Sequence, residues 1–141
     1  MLIKKPRFWD SEKISIYSII LYPISIIYFF LLTIIKKFKK NQNFEIPIVC
    51  VGNIYLGGTG KTPLVYEIYN ILNSIGKNPA IIKKYYNYLE DEISLLKSKS
   101  IVFSEKNRSL AIKKLIENKY DTAIMDDGFQ DFSIQKNFSI L

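Results

Sequence analysis

One stretch constrains this chain more than any other. A continuous β-branched run, Ile46–Gly52, leads through a short connection into Gly57-Gly58-Thr59-Gly60-Lys61-Thr62, and Pro63 follows. An apolar run ending in glycine reads as a strand buried on both faces. Proline in the first turn, with an apolar stripe at Leu64, Ile68, Ile71 and Leu72, predicts a helix from Pro63 to Ser74. Strand, glycine-rich loop and helix in that order form the setting of a phosphate-binding P-loop. Glycines let successive backbone N–H groups turn toward a polyphosphate without Cβ clashes. The helix beginning near Thr62 adds the positive end of its dipole. Lys61 would reach the β- and γ-phosphates as a mobile charge, and the Thr62 hydroxyl would ligate magnesium. One departure is plain: Tyr55 stands where the general pattern has its first glycine.

The rest of the C-terminal hundred residues alternates in the same way. Gly76 stops the helix. Strands are predicted at Ala80–Ile82, Ile101–Phe103 and Thr122–Met125. Helices are predicted at 89–97 and 107–119, the second with Leu110, Ile112, Leu115 and Ile116 apolar. Phe138–Leu141 begins another strand. This pattern predicts an α/β fold: a P-loop NTPase-like, doubly wound, mainly parallel sheet. A last strand that ends as it begins reads as a truncated domain.

The second acidic motif is Asp126-Asp127-Gly128-Phe129-Gln130, after the strand at Thr122–Met125. An acid at the carboxyl end of such a strand lies beside the P-loop in this architecture. Adjacent aspartates point in different directions, so one could serve a metal while the other faces a substrate. Asp91-Glu92 forms a third acidic pair. Its ordinary explanation is complementing the start of a short helix.

The first forty residues form a separate unit, joined to the rest by a polar linker at Asn41–Glu45. From Ile14 to Ile35 there are 22 residues without a charge, with lysines flanking both ends. That length can cross a hydrocarbon core. Pro23 divides the run into a short and a longer half. A signal peptide is disfavoured, since no small-residue cleavage site follows. A transmembrane span, a kinked anchor lying in one leaflet and a buried soluble helix remain open. Tyr17, Tyr22, Tyr28 and Trp9 suit a membrane interface. The net charge of +7 favours anionic partners. A single cysteine, Cys50, excludes an internal disulfide, and the absence of histidine excludes imidazole chemistry within these residues. Magnesium needs only oxygen ligands and stays possible.

Val51-Gly52-Asn53, the Gly-Gly-Thr-Gly-Lys-Thr-Pro run ending at Pro63, and Asp126-Asp127-Gly128-Phe129-Gln130 together resemble the tetraacyldisaccharide 4'-kinases. Pro6-Arg7-Phe8-Trp9 ahead of the apolar segment is similar to that family's start. The missing first P-loop glycine is a trait of the family. The resemblance implies transfer of the γ-phosphate of ATP, with Mg2+, to the 4'-hydroxyl of a disaccharide lipid at the cytoplasmic face of a Gram-negative inner membrane. No nucleic-acid partner is implied. It implies phosphate binding by Lys61 and the loop Gly57–Thr62, magnesium held by Thr62 and Asp126, and Asp127 as their catalytic neighbour. Asp91 matches the family's Asp-Glu pair and becomes the candidate base for the sugar hydroxyl. Two positions depart from the family: Lys84-Tyr85-Tyr86-Asn87 stands for Arg-Gly-Tyr-Gly, and Asp131 for a histidine. The family's second lobe, with its own catalytic histidine, has no counterpart here, which leaves a non-catalytic fragment as an alternative. A ParA/MinD-like membrane ATPase is the other alternative. That class has lysine before its paired glycines, where this chain has Leu56.

Overall fold

The computed structural model describes residues 16–38, 41–52, 61–86 and 90–141. The chain divides into two compact units, 1–40 and 41–141.

In the first unit, helix α1 runs over Ile16–Phe38 without a break at Pro23, and none of its residues is buried. The expected division into two halves is therefore not seen. One proline removes a single hydrogen bond, and the remaining helical bonds carry the backbone past it. Ser25 Oγ donates to the Tyr22 carbonyl just beyond the proline, at 2.7 Å. Every described residue of α1 is exposed or half-exposed within this chain.

The second unit contains β1 (Ile48–Val51), α2 (Lys61–Ser74), β2 (Pro79–Lys84), α3 (Glu90–Lys97), β3 (Val102–Glu105), α4 (Arg108–Glu117), β4 (Thr122–Asp126) and β5 (Phe138–Ile140). The strands form one sheet in the order β3-β2-β4-β1-β5, with every pairing parallel. Residues alternate between the two faces, as strand geometry demands. Ile48, Cys50, Ala80, Ile82, Ala123 and Met125 pack with Ala111, Ile112 and Leu115 of α4. Val51, Ile81 and Ile124 pack on the opposite face with Val65 of α2 and Leu96 of α3. Both faces are thus covered by helices, which is why Ala80–Ile82 of β2 and Ala123–Met125 of β4 read as apolar runs. The sheet is doubly wound.

The packed stripes of two helices differ from those expected. On α2 the inward residues are Val65, Ile68, Tyr69 and Leu72, while Leu64 and Ile71 are exposed. On α4 Ala111 turns inward beside Ile112 and Leu115, and Leu110 is exposed. In both helices the true stripe is phased by i, i+3, i+4, i+7 geometry, and the largest side chain nearby does not set it. Gly76 ends α2 with φ +78°, and the Lys77 N–H closes on the Leu72 carbonyl at 3.0 Å. Asn107 caps α4, its side chain accepting from the Ser109 N–H at 2.9 Å.

Asn41–Glu45 is more than a linker. Gln42 forms a parallel bridge with Ile134, donating to the Ser133 carbonyl at 2.9 Å and accepting from the Gln135 N–H at 3.0 Å. It ties the entry of the domain to the segment before β5.

Candidate active site

Open parallel sheets bind ligands beyond the carboxyl ends of their strands, where successive connections leave in opposite directions. Here that point lies at β1 and β4. The two strands are paired in register, Val51 opposite Asp126, and sit between β2 and β5. The chain leaves β1 toward the glycine-rich loop. Gly57, Gly58, Thr59 and Gly60 lie outside the described residues. Lys61 and Thr62 are described; they open α2, and both are half-buried.

β4 ends at Asp126, and the chain turns sharply there. Asp127 has φ +54°, the left-handed region. Aspartate tolerates that region better than most residues, and such strain concentrates at functional sites. The Asp127 N–H donates to the Val51 carbonyl at 2.9 Å, which seats the residue over the end of β1. Its carboxylate then meets the start of α2: Lys61 Nζ lies 2.8 Å from Asp127 Oδ1. The two motifs, 66 residues apart in the chain, meet through this ion pair.

A side chain at Gly128 would have to displace Met125. A Cβ there would lie 1.9 Å from Met125 Sδ and 2.3 Å from its Cγ. Beyond it, Arg108 Nη2 donates to the Asp127 carbonyl at 2.7 Å, and Arg108 Nη1 lies 3.4 Å from Asp131 Oδ2. Asp131 Oδ1 accepts from the Ser133 N–H at 3.2 Å and from its hydroxyl at 2.5 Å. Lys136 Nζ donates to the carbonyls of Phe129 and Asp131 at 3.0 and 2.7 Å. Asp131, the departure from the family histidine, therefore serves the loop's own architecture.

Asp126 points elsewhere. Its carboxylate is buried, and Oδ2 is 2.6 Å from Lys83 Nζ, itself buried, near the end of β2. The two aspartates do diverge, but the one that touches the P-loop lysine is Asp127. Asp91 sits exposed in the first turn of α3. Next to it, Glu90 accepts from the Tyr85 hydroxyl at 2.7 Å, and that hydrogen bond to a carboxylate pushes the Tyr85 pKa up. Tyr86, the tyrosine shared with the family loop, lies under Lys84, whose Nζ is 5.1 Å from the ring centre.

Lys83, Arg108 and Lys136 were not singled out from sequence. Lys83 follows the predicted strand Ala80–Ile82 directly and precedes another lysine, so its sequence setting gives no sign of burial.

Thr62, Asp126 and Asp127 supply a hydroxyl and two carboxylates, all hard oxygen donors that suit magnesium. Among the described residues no cluster of three or more His, Cys, Asp or Glu side chains could hold a metal unaided. That donor set fits a cation that arrives with nucleotide phosphates.

The family model for tetraacyldisaccharide-1-P 4'-kinase matches residues 17–141. The chain belongs to the tetraacyldisaccharide-1-P 4'-kinase family. It is 43% identical to the tetraacyldisaccharide 4'-kinase of Pelagibacter ubique over 141 residues, covering all of this chain and 45% of that protein. It is 32% identical to the Coxiella burnetii tetraacyldisaccharide 4'-kinase, over 99% of this chain and 50% of that one. The chain spans about half the length of the curated relatives it matches. Its fold is similar to a crystal structure of LpxK from Aquifex aeolicus in complex with ATP, with a TM-score of 0.67 and 23% identity, over 86% of this chain and 47% of that one. Family membership displaces the ParA/MinD-like alternative.

Proposed function

We propose that this protein is an ATP-dependent kinase that phosphorylates the 4'-hydroxyl of a tetraacyldisaccharide 1-phosphate lipid. The observation that carries this reading is the Lys61–Asp127 pair at 2.8 Å, which joins the end of a glycine-rich loop to the family's Asp-Asp motif at the switch point of the sheet. Together with membership of the kinase family, it favours phosphoryl transfer over a structural use of either motif.

In this reading the loop amides of Gly57–Gly60 cradle the phosphates, and Lys61 exchanges its contact with Asp127 for one with the β- and γ-phosphates. Thr62 and Asp126 hold the Mg2+ shell, with Asp127 beside it. When bound, magnesium neutralises charge that develops on the transferring group. The γ-phosphorus bond to the ADP oxygen breaks as its bond to the 4'-oxygen forms. Asp91 takes the proton of that hydroxyl. Positioning and charge neutralisation supply most of the rate.

Helix α1 supports the membrane side of the proposal. It has 23 residues and an 18-residue window of mean hydropathy 2.3, long and apolar enough to cross a membrane. It would hold the domain against the inner-membrane surface that contains the lipid, at its cytoplasmic face, where ATP is available. The basic residues flanking the apolar run suit anionic head groups.

The test is transfer of label from γ-labelled ATP to the lipid disaccharide by the full chain in detergent micelles. Lys61→Ala should abolish it, and a Lys61→Ala enzyme of parental activity would defeat the assignment. Asp91→Asn should leave ATP binding intact and slow transfer. Weakened ATP binding alone in that variant would remove Asp91 from the base role.

A further inference from the structure

The Lys83–Asp126 pair is a buried ion pair, and Lys83 belongs to none of the motifs read from the sequence. The side chains are 8% and 2% exposed. Burying two charges costs several kcal/mol per ion before their attraction returns any of it, and well-packed apolar residues often do as well. β2 and β4 are otherwise built from such residues, with Ile81 opposite Ile124 and Ile82 opposite Met125. The next step of that register brings Lys83 beside Asp126. At this step, at the carboxyl edge of the sheet, the buried side chains are charged.

The face of the sheet matters too. Side chains alternate along each strand, so Lys83 and Asp126 share the face of Ile81 and Ile124. Those two pack with Val65 of α2, the helix that Lys61 and Thr62 open. The pair therefore lies on the α2 side of the sheet, at the edge where the phosphates would sit. Among the described residues Lys83 takes Oδ2 of Asp126, and no hydrogen bond takes Oδ1.

We propose that Lys83 is a positioning residue of the nucleotide site: its ammonium fixes the Asp126 carboxylate so that one oxygen is held in the sheet and the other faces the divalent cation that accompanies ATP. This rests on the kinase reading above. A carboxylate on a short side chain otherwise rotates, and a partner behind a metal-shell group restricts that rotation. Loss of such a partner typically weakens metal binding by about ten- to a hundredfold.

The experiment measures Mn2+ binding to the full chain in detergent with saturating ATP, from the electron paramagnetic resonance signal of free Mn2+. ATP binding without metal is measured in parallel. Lys83→Met should weaken Mn2+ binding by about tenfold or more and leave metal-free ATP affinity unchanged. Lys83→Met added to Asp126→Asn should cause no further loss, because Lys83 acts through that carboxylate. The double variant removes both charges of the pair, so it carries the test even if Lys83→Met alone fails to fold. Parental Mn2+ affinity in a folded Lys83→Met chain would overturn the proposal. So would a further loss in the double variant beyond Asp126→Asn, since Lys83 would then act by another route. If the parent chain itself binds no Mn2+ with ATP, the nucleotide reading falls first and takes this proposal with it. If the parent binds and Lys83→Met binds equally well, only the role of Lys83 falls.

Discussion

Removing one half of the Lys83–Asp126 pair should destabilise the domain far more than removing both. At the 2.6 Å separation seen here, attraction between unit charges amounts to about 6 kcal/mol with an effective dielectric near 20. Desolvation of both ions consumes much of that, so the pair itself is worth little. Lys83→Met keeps the length of the side chain and removes only its charge, leaving the Asp126 carboxylate buried and unpaired. Breaking a buried pair in this way costs about 3–5 kcal/mol. With a urea slope of about 2 kcal/mol per molar, typical of small domains, the unfolding midpoint should fall by roughly 2 M. Replacing both partners, Lys83→Met with Asp126→Leu, should recover most of the loss, because the row then continues the apolar packing of Ile81 and Ile124. Urea unfolding followed by far-ultraviolet circular dichroism measures all three chains. Two outcomes would refute the reasoning: a single-variant loss under about 1 kcal/mol, or a double variant as unstable as the single one.

Gly128→Ala should cost about 1–3 kcal/mol, read as a lower melting temperature, because its methyl group would occupy the space of Met125 Sδ; an unchanged melting temperature would show that Met125 yields freely. Asp127→Val should be less stable than Asp127→Asn by about 1–2 kcal/mol in the same assay, since φ +54° suits asparagine and opposes a β-branched residue; equal stabilities would mean the backbone relaxes. Cys50 is buried, and burial pushes its thiol above the ordinary value of 9.0, partly offset by the nearby positive charges of Lys136 and Arg108. A raised acid keeps its full contribution below the unfolded pKa, so stability should hold to about pH 9 and then fall as the unfolded thiol ionises first. Cys50→Ala should flatten that fall in a pH series of urea midpoints, and an identical slope would assign it to other groups.

The strands were legible because a sheet covered on both faces leaves a plain trace. Ile48–Val51, Pro79–Lys84 and Thr122–Asp126 are short β-branched or apolar runs with turn residues nearby. Helix phase was less legible. Leu64 and Leu110 are large and apolar, yet Val65 and Ala111 hold the inward positions. Where a helix packs on the sheet, a small residue can hold an inward position while a neighbouring leucine faces outward. Lys61 and Asp127 were recognisable as site residues from their motifs, but their direct contact was not. The distinct orientations of Asp126 and Asp127 depend on one left-handed residue, which the aspartate pair alone does not specify. Lys83 was out of reach for a different reason. Its partner is 43 residues away, and only the register of β2 against β4 joins them.

β4 is the fourth strand in the chain but the third across the sheet, lodged between β1 and β2. The two earlier strands have no hydrogen bonds to share until it arrives, and they must leave a gap two strand spacings wide, about 10 Å. During synthesis the glycine-rich loop leaves the ribosome long before the strand that completes its surroundings. Closure of the sheet and assembly of the acidic half of the site are therefore one event, and a nascent chain stopped short of Thr122 possesses neither.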